Sequence, residues 1–248
     1  MNIKTEKDGS FATIIISNKE KKNSLDEEIF LELNKQIKEI EKDKSIEIIF
    51  LKGDGENFSS GVSLEGLIKF LSTEDARDFA ILMEDTISNL FNTKKITIAL
   101  VDGYALGGGL ALALACDIRI FTNRAKLGIP AVKIGAIFPA NSTRRLIADI
   151  GLSRTKDLLL TGKIISSLEG KEIGIVNYLV DYPNLELKGK EIAKKILKGS
   201  PLALELTKQT ANNLVETNKI TYSSDNFAFL YSTAQWHKRI WNFLNKKK

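Results

Sequence analysis

The chain has 248 residues, 43% of them hydrophobic and 27% charged, with one cysteine and a formal net charge of +5. That balance fits a globular protein and excludes collagen-like, low-complexity and membrane-spanning classes, and the lone Cys116 excludes an internal disulfide. The lysines are scattered and no aromatic platform interleaves with them, so the charge reads as a solvated surface or attraction for a small anion rather than a nucleic-acid groove.

The start, MNIKTEKDGS, lacks the apolar core of a secretory signal, so a cytoplasmic location is expected. Phe11 to Ser17 reads as an Ile-rich strand, followed by the polar turn KEKKN. A helix then runs from Asp26 to Lys42, with Ser24 and Glu27 spaced as a capping box and Ile29, Leu33, Ile37 and Ile40 on one face. Ile46 to Lys52 is apolar nearly throughout, the mark of a strand buried on both faces.

A polar loop, Gly53 to Ser60, leads to a short helix from Ser63. Ser72 with Asp75 caps a second long helix, Glu74 to Asn92. The stretch Ile96 to Ala115 is broken by Asp102 and four glycines, so it reads as strand, turn and buried small-residue helix rather than a membrane span. Asp117 to Thr122 alternates as a strand.

Beyond it the pattern is mostly helical: Thr143 to Asp149, Ser153 to Leu160, Ser167 to Gly174, Leu185 to Leu197, Pro201 to Val215 and Tyr222 to Leu244. One short strand, Tyr178 to Val180, interrupts it. The order implies an α/β core over 1–198 and a helical region over 199–248, with no sharp linker.

Two glycine turns each follow a buried strand and lead into a helix: FSSGVSL, Phe58 to Leu64, and GYALGGGLALALACD, Gly103 to Asp117. Such turns leave backbone N–H groups unpaired at a helix start, where they stabilise negative charge. Side by side, two of them can aim two N–H groups at one carbonyl oxygen, an oxyanion hole. The plainer reading is that Gly107, Gly108 and Gly109 only permit close packing. Their spacing does not fit a dinucleotide-binding G-x-G-x-x-G.

GYALGGG with the following ACDIRI, the preceding FSSGVSL, the KKNSL turn and the later SPLALELTK together resemble the enoyl-CoA hydratase/isomerase (crotonase) superfamily, over roughly Phe11 to Leu244. The resemblance implies a spiral of ββα units, a helical C-terminal region that builds homo-trimers or hexamers, and a cytoplasmic role in fatty acid metabolism. It implies an acyl-CoA ligand, and no cofactor beyond the coenzyme A of the substrate itself. Position by position, it makes Val62 and Gly108 the two oxyanion N–H donors, each contributing about 3 kcal/mol to stabilising developing charge. Ser60, Gly61 and Gly107 would line the substrate, Lys22 would meet the CoA phosphates, and Phe243 with its neighbouring lysines would pack the adenine end.

The chain departs from the family at its proton-transfer positions. Two glutamates are expected after GGG and in the G-x-P-E segment, but Ala111 and Ala131 stand there, and a third acid position falls on Pro139. Positioned acid–base groups give about 10²–10⁴-fold, so ordinary hydration at full speed is not expected. Glu84 falls where one branch of the family carries a histidine base, with Asp85 turned about 100° away around the helix; a solvated helix carboxylate is the bland alternative. A non-catalytic acyl-CoA-binding protein or partner subunit is the alternative for the whole chain. His237 and Tyr104 read as structural, Cys116 as inert core, and Phe227, Phe229, Leu230 and Tyr231 as core or a subunit contact. No His, Cys, Asp and Glu cluster has metal-ligand spacing.

Overall fold

The computed structural model describes residues 3–68, 72–217 and 233–245, and within these the side chains of residues 235, 243 and 244 lie outside the description. Six strands form the main sheet in the order β1 (Ile3–Asp8), β2 (Phe11–Ile16), β3 (Ile48–Gly53), β4 (Ile96–Val101), β6 (Ile118–Thr122) and β9 (Tyr178–Val180). β1 and β2 are an antiparallel hairpin, and every later pairing in this sheet is parallel. A second sheet holds β5 (Tyr104–Leu106), β7 (Lys126–Gly128) and β8 (Ile164–Ser166).

The apolar run of β3 is explained by burial on both faces. Ile49 and Leu51 enter the main core, while Ile48 and Phe50 join a second cluster with Ile98, Leu100, Ile120 and Ile192. α1 (Glu27–Lys42) and α3 (Thr73–Asn92) bury Ile29, Leu33, Ile37, Ile87 and Leu90 on the first side. α7 (Leu185–Ile196) covers the other with Ile192 and Ala193.

Ser72 and Asp75 form the reciprocal capping box of α3. The cap expected at Ser24 is corrected: Asp26 caps α1, its carboxylate accepting from the Ile29 N–H. The chain stays extended through Leu25 because Leu25 forms a parallel bridge with Val62, and an extended residue cannot begin a helix. Short α2 (Leu64–Leu67) is capped by Ser63, and α4 (Gly108–Leu114) is buried along its whole length.

The two helices expected before residue 161 are one element, α5 (Ala140–Thr161), interrupted by Gly151 at φ 78° and ψ 163°. α6 (Ser167–Ile173) follows. α8 (Pro201–Thr217) docks on the core through Lys208, which donates to Lys95 O and Asp117 Oδ2, and Asn212, which donates to Phe91 O. α9 (Ala234–Asn245) is tied back by Arg239 to the carbonyls of Lys198 and Gly199. Phe227, Phe229, Leu230, Tyr231 and the terminal lysines lie outside the described residues. No described helix is long and apolar enough to cross a membrane.

Candidate active site

Three turns meet at one place, and hydrogen bonds within the chain hold them there. Asn23 is fully buried; its Oδ1 accepts from the Asn18 N–H, and its Nδ2 donates to the carbonyls of Asp54 and Asn57. Lys22 and Asn23 both sit at positive φ, 51° and 55°, a strained pair that these bonds impose. The Ser60 N–H donates to Lys22 O at 2.9 Å, joining the KKNSL turn to FSSG.

Ser59 links all three turns. Its Oγ donates to Asn23 O at 2.7 Å and accepts from the Gly61 N–H at 3.1 Å, and its backbone bridges Ala105 in the GYALGGG turn. Neither Asn23 nor Ser59 was expected from the sequence; the only hints were an asparagine, tolerant of left-handed backbone, within a lysine turn and a small polar residue between Phe58 and Gly61.

Val62 and Gly108 are brought together by this frame. The Leu25 N–H donates to Gly61 O and the Ser63 N–H donates to Leu25 O, so the Val62 amide between them points away from Leu25. Gly108 opens α4, where helix geometry supplies no acceptor for its N–H. Neither amide has a hydrogen-bond partner among the described residues.

A Cβ on Gly108 would lie 3.6 Å from Val62 N, and one on Gly61 would lie 3.4 Å from Gly108 N, so the two amide nitrogens sit close together where the turns touch. The glycines serve different ends. Gly107 adopts φ 48° and ψ −116°, open to glycine, whereas a Cβ on Gly109 would strike Ser59 Cβ at 2.7 Å.

The other expected residues distribute as follows. The Lys22 ammonium lies over the Tyr104 ring, 5.3 Å from its centre. The Ser60 hydroxyl donates to Lys21 O at 3.2 Å. A cavity of about 600 Å³ opens beside Val62, lined also by Leu25, Phe79, Glu28 and Asp78. Ala111 is fully buried in α4, Ala131 packs against the main core, and Pro139 precedes the first turn of α5.

Glu84 is half-buried, and its Oε2 accepts from Asn141 Nδ2 at 3.1 Å, two residues beyond Pro139. Asp85 is exposed. Phe243 falls within α9, but its side chain lies outside the described set. His237 is exposed against Trp236, ring centres 5.1 Å apart. Cys116 is buried, which pushes its thiol up to about 12 and leaves it no nucleophile. Among the described residues no His, Cys, Asp and Glu group could hold a metal ion.

Comparison with known proteins identifies the family. The model of the enoyl-CoA hydratase/isomerase family matches residues 6–248. A short-chain-enoyl-CoA hydratase of Clostridium acetobutylicum is 33% identical over 100% of this chain and 96% of its own length. A crotonyl-CoA hydratase of Syntrophomonas wolfei is 32% identical with the same coverage. The crystal structure of an enoyl-CoA hydratase from Bacillus anthracis superposes with a TM-score of 0.92 at 29% identity, covering 99% of this chain and 97% of that one. Sequence and fold together place the chain in the enoyl-CoA hydratase/isomerase (crotonase) family.

Proposed function

We propose that the protein binds a short acyl-CoA thioester and stabilises its enolate between the amides of Val62 and Gly108. The observation that carries this reading is the pair of N–H groups, unpartnered among the described residues, that lie close together where the two glycine turns touch. Short enoyl thioesters are the natural first choice, because two relatives are named as short-chain-enoyl-CoA and crotonyl-CoA hydratases.

Proton transfer at C2 of the thioester is favoured over ordinary water addition. Hydration benefits from two carboxylates, and Ala111 and Ala131 stand where the family resemblance puts them. Glu84 is the base in this reading, supported by its contact with Asn141 beside the Pro139 turn. Its carboxylate takes the C2 proton, and the C–H pair becomes the enolate π bond as charge moves to the oxygen between the amides. In a 3-enoyl thioester the same carboxylate returns the proton at C4, giving the 2-enoyl isomer with no co-reactant.

Lys22, Ser60, Gly61, Gly107 and Phe243 complete the substrate contacts of this proposal, and the spiral core with a trimer-forming helical C-terminus completes its architecture. Exposed Trp241 on α9, 69% accessible, suits such self-association. The same Ala111 and Ala131 support a second reading, acyl-CoA binding without turnover. One experiment separates the two: incubate butyryl-CoA with the protein in deuterium oxide, follow C2 exchange by NMR, and measure affinity by calorimetry. Exchange supports the enolate reading. Binding without exchange moves the protein to the second, and no binding removes both.

A further inference from the structure

The surroundings of Glu84 are more ordered than those of a solvated helix carboxylate. Glu84, Ser88 and Phe91 recur along one stripe of α3 at i, i+4 and i+7, and they face Asn141 and Arg145, one turn apart on α5. Asn141 Nδ2 donates to Glu84 Oε2 at 3.1 Å. Arg145 Nη2 donates to Ser88 Oγ at 3.4 Å and to Glu216 Oε1 of α8 at 2.8 Å, and its guanidinium lies 4.1 Å from the centre of the Phe91 ring.

Arg145 is 3% exposed, so the α3–α5 seam is locked one turn below the Glu84 contact. Only Oε2 of Glu84 is held. Oε1 has no hydrogen-bond partner among the described residues. A carboxylate fixed through one oxygen presents the other oxygen in one orientation.

We propose that Asn141 is the positioning residue of Glu84, aiming its free oxygen at C2 of the bound acyl group. The proposal rests on the reading of Glu84 as the base. Asn141 itself exchanges no proton; its amide fixes the carboxylate plane and leaves Oε1 to accept. The charged groups that interact along this seam are Arg144 and Arg145 of α5 and Glu216 of α8, and Asp85 is next to Glu84 along α3. None of the four is hydrogen-bonded to Asn141 among the described residues.

The test compares the wild type with Glu84→Gln, Asn141→Ala and Asn141→Asp, using C2 deuterium exchange of butyryl-CoA across pH, calorimetric affinity and thermal melting. Asn141→Ala should lose about 10-fold or more in exchange at unchanged affinity, since orientation rather than binding is removed. Asn141→Asp sets a second carboxylate against the first, so the acid limb of the exchange profile should move up by about one pH unit or more.

If Glu84→Gln abolishes exchange while both Asn141 variants keep the wild-type rate and acid limb, the positioning role is overturned and the base remains. If Glu84→Gln exchanges like the wild type, or the wild type does not exchange, the base reading falls and takes this inference with it.

Discussion

At the scale of single residues, the site depends on places where a side chain is missing. Gly109 lets α4 approach the FSSG turn, and an added methyl would meet Ser59 Cβ and O, both at 2.7 Å. Backbone cannot yield as a flexible side-chain end can, so Gly109→Ala should cost about 1–3 kcal/mol and shift the Gly108 amide away from Val62. Thermal melting together with butyryl-CoA exchange checks this: a lower midpoint and a large loss of exchange are expected, and wild-type values for both would refute the packing argument. Cys116 offers a simpler check. With its thiol pushed up to about 12 by burial, the native protein should resist alkylation at pH 8 and react only after denaturation, as mass spectrometry would show.

At the scale of elements, α8 is fastened by a buried ammonium. Lys208 Nζ, 5% exposed, reaches Asp117 Oδ2 at 2.9 Å, and that oxygen also accepts from the Thr97 N–H and hydroxyl. Breaking a buried pair from one side costs about 3–5 kcal/mol. Asp117 keeps its Thr97 bonds and some water, so Lys208→Met should cost about 2 kcal/mol, measured by denaturant unfolding; a loss below about half of that would make the contact an ordinary surface pair.

The elements that carry a strong pattern are legible in the sequence. α1, α3 and α7 place apolar residues on one stripe, and β3 and β4 are apolar nearly throughout, with Lys52 near the end of one and Thr97 within the other. β1 is not legible because Ile3–Asp8 is an edge strand written mostly in polar residues, Lys4, Thr5, Glu6, Lys7 and Asp8, which blunt an edge and hide the alternation. β5, β7 and β8, three residues each, are not legible because so short a strand has no period. The two glycine turns were legible because they write backbone geometry into sequence, whereas the roles of Val62 and Gly108 come from the family resemblance and stay part of the proposal. Asn23, Ser59 and Asn141 were not, since their roles come from partners dozens of residues away.

Across the whole molecule, acid should act on the same frame that holds the site. Asp54 sits where β1, the end of β2 and the following turn converge: its Oδ2 accepts from Ser17 Oγ at 2.8 Å, and Lys19 lies 3.1 Å from its Oδ1. The Ser17 hydroxyl, helped by Lys19 and Lys4, holds the carboxyl at about 2, below its ordinary 3.8. Burial raises the Asp102 carboxyl, but bonds from Arg124 and Thr122 outweigh it and leave it below its ordinary value. Groups depressed in the folded state add stability above their ordinary value and lose it as pH falls through the folded one. Asp149 works in the other direction, since burial raises it despite Arg119, so its contribution is lost as pH climbs through the raised value. The melting midpoint should therefore fall as pH drops from about 4 to about 2, and Asp54→Asn should flatten that limb. The main-chain oxygen of Asp54 accepts from Asn23, which orders the turn beside Val62. Affinity for butyryl-CoA should then weaken over the same interval in the wild type and less in Asp54→Asn; an identical acid limb in the two proteins would remove Asp54 from the frame.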